Sequence, residues 1–140
     1  MQPFRVIAIP KEIADSVRAN RLAPGYGHPV HAEVASGHGP CRLCLRDFAV
    51  GKEDLPLPGP IFIHERACER YPERGGMPAD SRRHGLTLNA YGRGRRLLAQ
   101  EYVRDGAVES VAARLLAVRD VDYIHVRDTH AGCFDFAVER

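Results

Sequence analysis

The sequence predicts an α+β fold, a mainly antiparallel sheet with one clear helix over about 107–118 packed on one face and a short N-terminal helix. Three observations predict it. Val108, Val111, Ala112, Leu115 and Leu116 form one apolar stripe at a period near 3.6. Residues 86–91, 121–127 and 133–138 alternate or cluster β-formers between glycine-containing turns. The apolar run 4–9 ends at Pro10, which suits the first turn of a helix carrying Ile13 and Val17 four residues apart. At 140 residues the chain is expected to be a single domain over 1–140, large enough to bury its own core.

In chain order, residues 4–9 read as a strand and 11–19 as a short helix that ends before Pro24-Gly25. Residues 20–40 hold His28, His31 and His38 among glycines and prolines, and read as a long loop with room for a strand at 30–35. Residues 41–50 have two readings that exclude each other. A strand puts Cys41, Leu43 and Leu45 on one face and Cys44, Arg46 and Phe48 on the other; a tight turn brings both sulfurs to one side. Residues 51–54 form a turn, and Pro56, Pro58 and Pro60 bar residues 55–60 from a central strand. Residues 60–65 then read as a buried strand, 67–71 as one helical turn, and 73–83 as a polar loop. Strand 86–91 turns at 92–95 into 96–103, expected as its hairpin partner, with a helix over those eight residues as the alternative. Asp105 or Gly106 caps the main helix, and a terminal hairpin closes around 129–132.

Apolar residues make up 44 % and charged residues 27 %, the proportions of a soluble globular protein. A formal net charge of +2, with few aromatics and none interleaved with the basic residues, argues against a nucleic-acid partner. No apolar run is long enough to span a membrane, and residues 1–10 lack a signal-peptide core, so a cytoplasmic location is expected. In a reducing compartment cysteines serve as thiols or metal ligands more often than as disulfides.

Three blocks occur in order: Gly39-Pro40-Cys41-Arg42, Gly59-Pro60-Ile61-Phe62-Ile63-His64, and His125-Val126-Arg127 followed by Gly132-Cys133-Phe134. Over roughly residues 4–139 this pattern resembles a family of small bacterial proteins known as domain-of-unknown-function family 1203. The resemblance implies a single α+β domain. It implies no activity and no metal site. This chain departs from the pattern in its short, proline-rich connection over 52–58.

The residues themselves point to one candidate metal site, Cys41-x2-Cys44-x19-His64-x3-Cys68. Zinc takes four nitrogen or sulfur donors in a tetrahedron, and pairs a few residues apart supply each half. His64 and Cys68 would share a face on a helix, and Arg42 and Arg66 would favour the thiolates. Against this stands the reading of Cys41 and Cys68 as small core residues. Arg42, His125 and Arg127 are candidates for binding a small anionic ligand, since guanidinium forks suit phosphate and carboxylate. Arg127 has a second reading, an ion pair with Glu101 or Asp135. Two functions of different class follow. One is a small binding or accessory protein stabilised by structural zinc; the other is an enzyme whose pocket joins Cys41, Arg42, His64, His125 and Arg127, using thiol or anionic-substrate chemistry.

Overall fold

The computed structural model describes residues 4–22, 29, 32–35, 39–49, 51, 54–56 and 62–140. Contacts divide the chain into two compact units, Met1–Ile7 with Pro72–Arg140, and Ala8–Tyr71.

The first unit is built on a five-stranded antiparallel sheet. Its strands are β1 (Arg5–Ile7), β4 (Leu86–Tyr91), β5 (Leu97–Val103), β6 (Tyr123–Asp128) and β7 (Phe134–Glu139), in the order β1-β7-β6-β4-β5. Helix α2 (Val108–Leu116) packs on β4, β5 and β6. The α+β class is therefore as the sequence predicts. Strand alternation fixes the two faces. Leu86, Leu88 and Ala90 of β4 and Ile124 and Val126 of β6 are buried, as are Val108, Ala112, Leu115 and Leu116 of α2. Glu101, which pairs in register with Leu88, holds Arg114 of α2, so this is the helix side. The N-cap position falls on Ala107 without a side-chain cap, rather than on Asp105 or Gly106; Asp105 accepts a hydrogen bond from the Ala107 amide at 3.1 Å in the turn before the helix. The terminal hairpin sets His125 opposite Ala137, rungs away from Cys133. Within the expected polar loop 73–83, Ala79–Arg83 forms a short 3-10 helix.

The second unit holds α1 (Lys11–Asn20) and a two-stranded antiparallel sheet of β2 (Ala32–Val34) and β3 (Asp54–Pro56). Helix α1 stops where Arg21 turns left-handed at φ 55°. Its buried face, Ala14 and Val17, packs into one cluster with Ala35, Cys41, Leu43, Cys44, Phe48 and Ile63.

Two expectations are corrected in this unit. Phe62–His64 is not a strand, because its backbone is used elsewhere: the Phe62 carbonyl accepts from the Arg42 amide at 2.9 Å, and the His64 amide donates to Cys41 Sγ at 3.4 Å. Residues 67–71 form no helical turn; the Tyr71 amide instead donates to the Leu43 carbonyl at 2.8 Å. His28, His31 and His38, and residues 52–53 and 57–61 of the proline-rich connection, lie outside the described residues. Among the described residues no helix is long and apolar enough to cross a membrane.

Candidate metal centre

Of the two readings of residues 41–50, the tight turn is the one adopted. The Leu45 amide donates to the Cys41 carbonyl at 2.8 Å, the Cys41 amide to the Arg46 carbonyl at 2.9 Å, and the Phe48 amide to the Gly39 carbonyl at 2.9 Å. Reversing so sharply takes Leu45 into the left-handed region, φ 61°. For a non-glycine residue that costs about 1–2 kcal/mol. Leu45 is only 2 % exposed, and burying a leucine returns about 1.5–3 kcal/mol, enough to hold the turn. The same turn brings the Cys41 and Cys44 sulfurs to one side.

The segment 62–68 supplies the other half without being helical. Ile63 is fully buried and anchors it. The Phe48 ring meets the His64 imidazole edge-on at 4.8 Å between centroids and fixes its plane. Arg18, from α1, donates Nε to the His64 carbonyl at 2.9 Å and Nη2 to Cys68 Sγ at 3.2 Å, tying the two ligand positions together. Arg70 donates to the Ile9 and Ala8 carbonyls at 3.0 and 2.7 Å and secures the chain beyond Cys68.

The ligand atoms of Cys41, Cys44, His64 and Cys68 all lie within 4.8 Å of one another, and this group could hold a metal ion. Cys41 Sγ is 3.7 Å from Cys68 Sγ, and Cys44 Sγ is 3.5 Å from His64 Nδ1. Cys41, Cys44 and His64 are buried and Cys68 is half-buried; none of the cysteines forms a disulfide. The sulfurs do not titrate alike. Cys44 is held down at about 3, first by its hydrogen bond with Cys41 and further by His64 and Arg46. Cys41 is pushed up, chiefly by that same hydrogen bond and then by burial. Burial pushes Cys68 up as well, with Arg18 opposing it. Crowded sulfurs repel one another once ionised, and a cation at their centre removes that repulsion.

Two arginines that the sequence did not single out serve the sulfurs. Arg18 and Arg46 do so, Arg46 through a hydrogen bond to Cys44. Arg66 is exposed, while Arg42 is buried, donates to the Pro40 carbonyl and stands 5.9 Å from the Phe62 ring centre. No local pattern marks Arg18; it lies 46 and 50 residues from His64 and Cys68, and its reach from α1 to them is visible only after folding.

His125 and Arg127 lie in the sheet unit, on the face of β6 opposite α2. The Glu101 partner considered for Arg127 is taken by Arg114, and Arg127 Nη1 donates to the Gly132 carbonyl at 3.4 Å.

Fold and site together define a small α+β protein carrying a largely buried cluster of three cysteines and one histidine. A family model described as protein of unknown function (DUF1203) matches residues 38–140, a span that includes all four donors, and the chain belongs to that family. No curated protein and no solved structure matches it significantly.

Proposed function

We propose that Cys41, Cys44, His64 and Cys68 hold one zinc ion as a closed structural site, in a small binding or accessory protein whose Ala8–Tyr71 unit is organised by the metal. Donor spacing carries this reading. Bonds of about 2.3 Å to sulfur and about 2.0 Å to nitrogen, arranged tetrahedrally, put neighbouring donors about 3.6–3.8 Å apart. The Cys41–Cys68 and Cys44–His64 separations are 3.7 and 3.5 Å.

Donor chemistry narrows the choice of ion. Thiolate and imidazole suit zinc, whereas magnesium and calcium require oxygen ligands. Four protein donors leave no position for water or substrate, which favours a structural over a catalytic role. The size of the Ala8–Tyr71 unit points the same way: below about 70–80 residues a single core rarely suffices, and a metal is a common staple. A thiol nucleophile, by contrast, must reach its substrate, and Cys41 and Cys44 are 0 % and 6 % exposed.

Metal analysis of the purified chain with a thiol titration in native buffer tests the proposal. One zinc per chain, with thiols that react fast only after chelation, is the expected result. A metal-free chain with one rapidly reacting thiol contradicts it and favours a Cys44–His64 nucleophile instead.

A further inference from the structure

The donor cluster is not sealed evenly. Cys41, Cys44 and His64 are buried, whereas Cys68 is half-buried and is the most open sulfur of the group. The two sides of the cluster are also held differently. Cys41 and Cys44 sit in the tight turn closed by the Leu45–Cys41 and Cys41–Arg46 backbone bonds at 2.8 and 2.9 Å. Cys68 lies in a stretch that is neither helix nor strand, so its side chain can turn without breaking a regular ladder. Arg18 Nη2 donates to its sulfur at 3.2 Å and places a cation beside it.

Behind this open sulfur stands a second one. Cys41 Sγ is 3.7 Å from Cys68 Sγ, and all four cysteines are free. A disulfide needs about 2.0 Å between sulfurs, so closing the pair takes a shift of about 1.7 Å. An accessible thiolate with a resolving thiol in contact is the arrangement that peroxide oxidises reversibly.

We infer that the cluster is an oxidation-gated metal site, in which hydrogen peroxide drives a Cys41–Cys68 disulfide and releases the zinc. The inference rests on the zinc reading above, because the metal is what keeps the coordinating sulfurs as thiolates. The Cys68 thiolate attacks one peroxide oxygen; an S–O bond forms, the O–O bond breaks, and hydroxide leaves. The Cys41 thiolate then attacks the Cys68 sulfur; the S–S bond forms and the S–O bond breaks, expelling a second hydroxide. Two electrons pass from the sulfurs to peroxide, and both hydroxides take protons from solvent to become water. Cys44 and His64, 3.5 Å apart, remain as two donors in place of four, with one thiolate charge in place of three. That is too few to retain the ion, and a dithiol reductant restores the set.

Peroxide treatment of the reduced, zinc-loaded full chain tests this, with a chromophoric chelator too weak to strip the untreated protein. Cleavage by trypsin after Arg42, Arg46, Arg66 and Arg70 puts Cys41, Cys44 and Cys68 on three separate peptides. The expected result is zinc release in step with peroxide consumed, one linkage joining the Cys41 and Cys68 peptides, and recapture of zinc after dithiol treatment. Cys68→His keeps a fourth donor and removes the attacking sulfur, so it should hold zinc and lose the peroxide-driven release. If that variant fails to fold or to hold zinc, the peptide map of the unsubstituted chain decides. A zinc-loaded chain that keeps its metal in peroxide, or whose linkage joins Cys41 to Cys44, overturns the inference and leaves the structural site standing. A reduced chain that takes up no zinc overturns the site reading and this inference with it.

Discussion

Arg18 reaches from α1 to both a carbonyl and a sulfur of the donor cluster, and so couples the helix to the site. On the zinc reading it is an outer partner that orients Cys68 and offsets the negative charge of three thiolates. Loss of such a partner commonly lowers metal affinity by about 10–100-fold. Arg18→Met should therefore weaken zinc in competition with a chromophoric chelator by at least about tenfold, while helix content stays unchanged. His125 provides a second prediction at this scale. Its folded pKa is lowered by burial, Arg127 and Arg95, so the unfolded chain takes up its proton first as pH falls. The stability it contributes is complete above the unfolded value of about 6.5 and is lost as pH drops through the lower folded value. Urea midpoints measured from pH 7.5 downward should fall more steeply for the unsubstituted chain than for His125→Gln.

At the scale of elements, the turn at 41–46 decides whether two cysteines become a pair of ligands. Leu45 opposes backbone strain with burial. Leu45→Gly would relieve about 1 kcal/mol of strain, but it removes a side chain whose loss from a core costs about 2–5 kcal/mol. Net destabilisation of about 1–4 kcal/mol is expected in denaturant unfolding, with weakened metal retention. The regular elements were legible in the sequence because their periods reflect burial on one side: β4 spans Leu86–Tyr91 as predicted, and β5, β6, β7 and α2 lie within a few residues of their expected bounds. Phe62–His64 was misread as a strand because an apolar run records burial without saying where its amides and carbonyls bond. The choice between strand and turn at 41–50 was equally hidden, since it rests on a left-handed leucine that no propensity favours. The candidate donors and their spacing were legible from residue type alone, whereas their converging geometry and the roles of Arg18 and Arg46 depend on how the chain folds.

Across the whole molecule, the chain begins in the sheet unit with β1, builds the Ala8–Tyr71 unit, and returns to the sheet at Pro72. Within the sheet unit, strand β1 pairs with β7, and Arg5 holds Glu139 at 2.8 Å and Glu73 at 3.0 Å. The sheet unit has a long antiparallel ladder and a packed helix. The Ala8–Tyr71 unit has, among its described residues, one helix, two short strands and the donor cluster, which is why a metal there would matter most. X-ray absorption at the zinc edge of the purified chain tests this most directly. The account predicts one zinc bound by three sulfurs at about 2.3 Å and one nitrogen at about 2.0 Å. Zinc surrounded by oxygen, or no zinc signal from a fully folded chain, would contradict it.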